Sequence, residues 1–244
     1  MSKGSSVFFT ADTHLGHGNI IKYCNRNEFL SEVDRKAFES RGNSWHDGDW
    51  KGEGSSNWKI SNKAIESMDD TIINNINKAV GPNDTLYHLG DFCFGSKHDI
   101  NRIAANYRRR INCKYIHFIW GNHDSFAIRN LFSNCHDILN ANVDSQRIVL
   151  CHYAMAVWDK SHRGAWHLYG HSHTNAENWL DSIMPGRRSM DVGVDNAAKL
   201  LGSYRPFSFE DIAKIMKDRQ GFFADHHGNN RGMSKSITEE ELIG

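Results

Sequence analysis

Two histidines, His171 and His173, stand one residue apart behind a glycine in the stretch 168-LYGHSHTN-175. On a regular strand alternate side chains share a face, so this spacing predicts that both imidazoles project the same way. Two imidazoles so close repel each other when both are protonated, and the pairing needs a chemical reason. Other residues of ligating type stand where apolar runs end. Asp12 and His14 follow 7-VFFTA-11, Asp91 ends 84-DTLYHLGD-91, Asn122 and His123 follow 115-YIHFIW-120, and His152 follows 146-QRIVLC-151. Oxygen and imidazole donors without thiolates suit first-row metals such as Mn, Fe, Co, Ni or Zn. Seven donors besides His123 are too many for one ion. Two ions sharing a bridging carboxylate use them all, and in such a pair, about 3.5–4 Å apart, neighbouring histidines can each face a different ion.

The elements that position these residues follow from hydrophobic periodicity. Val7–Ala11 reads as a strand. Ile65, Met68, Ile72, Ile76 and Val80 recur at helical spacing from Asn62 to Val80, and Gly81-Pro82 stops the helix. A strand over 84–91 precedes a helix from Asp99 to Ile111, with Ile100, Ile103, Ala104 and Tyr107 on one face. Strands follow over 115–120, 146–154, 165–173 and 189–196. Ser208 and Asp211 form a capping box that opens a last helix burying Phe209, Ile212 and Ile215. Strands alternating with helices predict an α/β fold, in which ligands collect beyond the carboxyl ends of the strands.

Between Cys24 and Ser61 the chain is polar and rich in Gly, Ser and Asn, with Trp45, Trp50 and Trp58 embedded. A structureless stretch of that length is uncommon inside a domain, so it is expected to fold over the metal site as a lid and set substrate size. Its tryptophans either stack on a base or anchor the loop to the body, and anchoring is favoured. Residues 1–220 are expected to form a single domain with this insertion at about 24–61. A flexible, charged tail is expected over 221–244, where Thr238 and Glu241 are spaced to cap a short helix.

Composition narrows the class. Twenty-nine basic residues balance 29 acidic ones at a pI near 7.3, which argues against a general nucleic-acid or membrane-surface binder. Fifteen histidines are the unusual feature. Five scattered cysteines, none spaced C-x-x-C, point to reduced thiols rather than a disulfide framework or a thiolate zinc site. Neither a signal peptide nor a run approaching the ~20 apolar residues of a membrane span is present, so a cytoplasmic protein is expected.

Taken in order, D-x-H (Asp12, His14), G-D (Asp91), G-N-H-D (Asn122, His123, Asp124), a lone strand-end His152 and G-H-x-H (His171, His173) resemble the calcineurin-like metallophosphoesterase superfamily, over roughly Val7 to Asn196. The resemblance implies a β-sandwich flanked by helices, a four-layer α-β-β-α arrangement. It implies two divalent ions, Mn²⁺ favoured over Mg²⁺, Co²⁺, Ni²⁺, Fe or Zn²⁺. One would be held by Asp12, His14, Asp91 and His173, the other by Asp91, Asn122, His152 and His171. His123 would protonate or stabilise the leaving group, and Asp124 would orient its imidazole. The sequence after Asp91 reads FCFG rather than D-R-G, and Asp124 stands where protein phosphatases of this superfamily have Glu, which disfavours a protein Ser/Thr phosphatase.

Around the candidate ligands several roles stay open. His17 and Asn19 either contact a substrate phosphate or begin a helix that Asn19 caps. His162 and Arg163 lie in a loop between two ligand-bearing strands and are candidates for a phosphate or base contact. His88, three residues before Asp91, is expected to pack or to back a ligand. The run 108-RRR-110 closes a helix, where cations complement its dipole. His226 and His227 are not expected to be ligands. No obligate protein partner is indicated. Size and the opening 12-DTHLGHGNII-21 resemble small bacterial and phage phosphohydrolases, the deoxynucleoside 5′-monophosphatase type among them. The expected substrate is therefore a small nucleotide phosphomonoester, ahead of a cyclic-nucleotide or other phosphodiester, a nuclease substrate, or a non-catalytic scaffold role.

Overall fold

Two sheets organise residues 5–45 and 58–222, the part of the chain that the computed structural model describes. β1 (Val7–Thr10) leads through α1 (Gly18–Tyr23), α2 (Glu32–Ser40) and α3 (Asn62–Ala79) to β2 (Thr85–His88), α4 (Ile100–Arg110), β3 (Tyr115–Ile119) and β4 (Asn134–His136). The second half contains β5 (Ile138–Val143), β6 (Gln146–Cys151), β7 (Trp166–Tyr169), α5 (Glu177–Ile183), β8 (Ser189–Asp191), α6 (Val194–Leu201), β9 (Phe207–Ser208) and α7 (Phe209–Met216). The first sheet has the order β4-β3-β2-β1-β9, parallel except for β9. The second has the order β5-β6-β7-β8, an antiparallel hairpin continued by two parallel strands.

Alternation along the strands assigns the layers. Phe9, Leu89 and Ile119 face inward against Ile148, Leu150, Leu168 and Met190 of the second sheet. Phe8, Leu86, Ile116 and Phe118 face outward, where Ala64, Met68, Ile72 and Ile76 of α3 and Ile100 and Ala104 of α4 cover them. On the far side of the second sheet, Val149 packs with Trp158 and Ala165, and Tyr169 with Leu180 of α5 and Met184 just after it. The result is a mixed α/β fold with two sheets flanked by helices. β1, buried from Phe8 to Thr10, reads as a nearly continuous apolar run, whereas β2 alternates buried and half-buried residues.

Several local expectations are corrected. The strand expected over 165–173 stops at Tyr169, so His171 and His173 lie beyond it. The strand expected over 189–196 stops at Asp191, and a helix begins at Val194. The segment after Cys24 is not structureless: Ser31 and Asp34 form a capping box that starts α2. The same Asp34 accepts hydrogen bonds from Trp58 Nε1 at 2.9 Å and Ser61 N at 3.1 Å, stapling the two ends of the segment together. Trp45 is buried, packs against Phe38 with ring centroids 5.0 Å apart, and donates to Asn27 Oδ1 at 3.1 Å, so Trp45 and Trp58 anchor the segment. Trp50 and the expected lid centre, 46–57, lie outside the described residues, as does the tail from 223 on with His226, His227, Thr238 and Glu241. Arg108 spends its guanidinium on the carbonyls of Leu131, Ile111 and Cys113, closing the end of α4. All five cysteines are free. Among the described residues no helix is long and apolar enough to cross a membrane.

Candidate metal centre

The candidate ligands converge because parallel pairing continues past the strand ends. β1 and β2 run in register, Val7 opposite Thr85. Beyond them Asp12 N donates to Gly90 O, His14 N to Asp91 O and Leu15 N to Phe92 O, each at 3.0 Å. Asp12 and His14 therefore run beside Asp91. Within the second sheet Gly170 N donates to His152 O at 3.0 Å, and His171 N, which donates to Asp12 Oδ2 at 2.9 Å, ties that sheet to the first.

Backbone strain concentrates at this junction. Asp12, His14, Asp91, His171 and His173 have φ of 55, 44, 55, 66 and 45°, the left-handed region that non-glycine residues avoid. Each such residue costs about 1–3 kcal/mol and persists where the surroundings over-determine it, typically at a functional site. The left-handed turns replace the strand alternation expected for His171 and His173 and send their rings to different places. Two glycines make the close approach possible. A Cβ on Gly121 would lie 2.3 Å from Asp91 Oδ1, and one on Gly170 would lie 2.4 Å from Asp12 Oδ2.

The side chains form two donor sets. Asp12, His14 and His173 bring ligand atoms within 4.8 Å of one another, and so do Asp91, His152 and His171. Asn122 joins the second set, its Oδ1 lying 3.1 Å from His152 Nε2. One atom stands between the sets: Asp91 Oδ2 is 3.4 Å from His14 Nε2 and 3.5 Å from His152 Nε2. His14 Nε2 is buried and has no hydrogen-bond partner. An unpartnered imidazole nitrogen beside a carboxylate oxygen is a geometry that a shared cation would fit.

Electrostatics agree with that fit. Burial, reinforced by Asp191, Asp91 and Asp195, pushes the Asp12 carboxyl well above its ordinary value. Burial lowers His14 to about 2, so it stays neutral. At Asp91 burial alone would raise the carboxyl, but the hydrogen bond and charge of His152 outweigh it and hold it below the usual range. The same partner, opposing burial, raises His152. Compressed carboxylates beside imidazoles that cannot all protonate are what a bound cation relieves.

The residues behind the ligands include three that sequence reasoning missed. His152 Nδ1 lies 2.7 Å from the Leu89 carbonyl and donates to it, leaving Nε2 for the centre. His173 Nδ1 lies 2.6 Å from Asp195 Oδ2, and Asp195 is gripped by buried Arg26 at 2.7 and 2.8 Å. Burial would raise Asp195, but the Arg26 guanidinium holds its carboxyl well below the usual range. Asp191 accepts from Gly193 N at 2.6 Å, Ser172 Oγ at 3.0 Å and Thr174 N at 3.1 Å, fixing the loop of His171 and His173. An acidic pair in 189-SMDVGVDN-196, one residue on each side of a strand end, was the available signal. Cys24 also lies near His173 and Asp195, and burial pushes its thiol up to about 12.

The remaining expected site residues separate. His123 is exposed at the rim, its ring 5.4 Å from that of His14, and its backbone N donates to Asp91 Oδ1 at 2.9 Å. Asp124 makes its hydrogen bonds to the backbone rather than to the His123 ring. Its oxygens accept from the backbone N–H groups of Asp91, Phe92 and Gly121 at 2.7, 3.0 and 2.8 Å, clamping the two ligand loops together. His17 stacks on Phe94 at 4.2 Å and sits 5.5 Å from His14, so it borders the centre. It also occupies the N-cap of α1, which corrects the expected cap at Asn19; Asn19 is exposed inside the helix. His88 is buried, its Nε2 3.0 Å from Thr13 Oγ1, and backs the first ligand loop. His162 and Arg163 belong to a turn before β7, beside Gln146 at the opening end of β6. His152 follows the other end of that strand, about 20 Å away at the rise of a strand, so the structure does not bring this pair to the centre.

No family model matches the chain. An uncharacterized protein of Methanocaldococcus jannaschii is 27% identical over 211 residues, which are 86% of this chain and 91% of that protein. Among solved structures, a protein of unknown function from Aquifex aeolicus superposes with a TM-score of 0.55 at 21% identity, covering 87% of this chain and 100% of its own. A novel archaeal phosphodiesterase gives a TM-score of 0.36 at 14% identity, covering 81% and 88%. The Aquifex likeness is one of fold.

Proposed function

We propose that this chain is a metal-dependent phosphoester hydrolase of the calcineurin-like metallophosphoesterase kind, acting on a small nucleoside or deoxynucleoside 5′-monophosphate. The observation that carries this is Asp91 Oδ2, set 3.4 and 3.5 Å from imidazole nitrogens of two separate donor sets. Asp12, His14 and His173 would hold one divalent ion, Asn122, His152 and His171 the other, and Asp91 would be shared, with Mn²⁺ favoured. Bound ions at such a site neutralise the ester oxygens and lower the pKa of a water nucleophile.

The chain's own residues supply the rest. His123 belongs to neither donor set, and its backbone is fixed on Asp91 Oδ1 while its ring stays at the rim. From there its imidazole would pass a proton to the departing oxygen. Beside it a cleft of about 420 Å³, lined among others by Phe94, Lys97, His123 and Ser125, is of the size that holds a small ligand. The exposed face of Phe94, backed by the stacked His17 ring, offers a flat surface to a base. A balanced net charge gives no support to a strand substrate, which wants an extended basic groove.

The test is kcat/KM for 5′-dNMPs, 5′-NMPs and 2′,3′- and 3′,5′-cyclic nucleotides with Mn²⁺, alongside ion content. Monophosphates should lead, and chelation should abolish turnover that Mn²⁺ restores. A cyclic diester preferred over every monophosphate overturns the substrate. Full metal uptake with no turnover of any phosphoester overturns the enzyme.

A further inference from the structure

One guanidinium reaches two of the candidate ligands from behind. Arg26 is almost completely buried and stands at the N-cap of a 3₁₀ turn, Asn27–Phe29, in the segment that the sequence suggested as a lid. Its Nε and Nη2 donate to the two oxygens of Asp195 at 2.7 and 2.8 Å, a bidentate pair. Nη2 also donates to the Asp12 carbonyl at 3.1 Å, and Nη1 contacts Met68 Sδ at 3.4 Å. Asp195 Oδ2 in turn lies 2.6 Å from His173 Nδ1. These partners are far apart in the chain, 169 positions between Arg26 and Asp195, so the arrangement exists only in the folded protein.

The chemistry fixes the direction of every bond. Arginine is always charged and only donates, so a carboxylate held by its fork is ionised and only accepts. An Asp195 that only accepts obliges His173 Nδ1 to carry the hydrogen. The lone pair of His173 is then on Nε2, the nitrogen left to meet the Asp12 and His14 ligand atoms. We propose that Arg26 and Asp195 are positioning residues that set which nitrogen of His173 serves the metal and hold that nitrogen in place relative to Asp12. This rests on the metal-centre reading of the two donor sets. Hydrogen-bonded carboxylates behind ligating histidines are worth about 10–100-fold in metal affinity.

Two measurements test it. In the metal-free wild type, ¹⁵N-edited spectra of the histidine rings should show His173 protonated at Nδ1 and bare at Nε2; the opposite tautomer overturns the proposal without any variant. In Asp195→Asn the amide must turn its NH₂ toward Arg26 or toward His173, so either the fork or the tautomer is lost. Mn²⁺ affinity by titration calorimetry should fall about 10–100-fold. Arg26→Lys, which keeps the charge and loses the fork, should weaken binding in the same direction. An Asp195→Asn protein that melts at a lower temperature yet keeps both the wild-type tautomer and the wild-type affinity has lost only packing, and overturns the proposal. Wild-type protein that takes up no Mn²⁺ brings down the metal-centre reading itself, a distinct outcome.

Discussion

Asp124→Asn separates two roles for the fourth residue of 121-GNHD-124. In the structure Oδ2 accepts from Asp91 N and Gly121 N, and Oδ1 from Phe92 N, at 2.7, 2.8 and 3.0 Å. An asparagine supplies one acceptor oxygen and one NH₂. Its best orientation keeps the oxygen on the two amides at Oδ2 and turns the NH₂ toward the Phe92 N–H, two donors face to face. One bond to a charged acceptor is lost outright, worth about 1.5–3 kcal/mol, and the other two weaken to neutral strength. The expected cost is about 3 kcal/mol of unfolding free energy in urea without metal. Asp91 is held by the same clamp, so Mn²⁺ affinity should fall as well. His123→Ala, measured in parallel, should leave stability and ion content near wild type and lower turnover by about 10²–10⁴. A loss of turnover in Asp124→Asn with stability within about 0.5 kcal/mol of wild type, the range of a neutral surface change, would refute the clamp and return Asp124 to the orientation of His123.

Two further outcomes follow from particular contacts. Gly170→Ala places a Cβ 2.4 Å from Asp12 Oδ2 and 2.6 Å from Ala11 Cβ, so Asp12 must move; a cost of about 1–3 kcal/mol and weakened Mn²⁺ binding are expected from denaturation and calorimetry, and unchanged values would mean the loop yields freely. His167 is fully buried, with Nδ1 3.0 Å from Val149 O and Nε2 3.1 Å from Met155 N and 3.2 Å from Tyr153 O, and the Met155 N–H is satisfied only by the lone pair of the neutral ring. Burial, aided slightly by the Arg187 charge, lowers it from 6.5 to about 4. Between those values the unfolded chain binds the proton and the native state does not, so stability should fall as pH drops from 6.5 to about 4, by about 3 kcal/mol from this group. His167→Gln should flatten that slope, and parallel pH curves for the two proteins would show that His167 titrates normally.

Much of the architecture was legible because burial leaves periodic marks. The apolar runs of β1, β2, β3, β6 and β7 and the spacing of Ile65 to Ile76 required strands and helices where they occur. The capping box of Ser208 and Asp211 behaves as its spacing demands. β4, β5 and α5 were missed because they are short or polar, their existence depending on the neighbour each pairs with rather than on a pattern of their own. The type and order of the donors likewise stood in the sequence, since ligand chemistry is written in residue identity. Which donors share a position was not. His171 and His173 are neighbours in the chain, yet left-handed turns divide them between two donor sets, and alternation along a strand gave the wrong reason for their spacing. An aspartate can orient a histidine or clamp amides, and the backbone N–H groups of Asp91, Phe92 and Gly121 that meet Asp124 are visible only in the packed chain. His162 and Arg163 flank the ligand strands in sequence, but a strand has two ends and they lie at the other one. Arg26 carries no local signal, and the acidic pair Asp191 and Asp195 marks a strand end without naming the partner of either residue. A buried ion pair exists only where two remote segments exclude water between them, and that is a property of the packed chain.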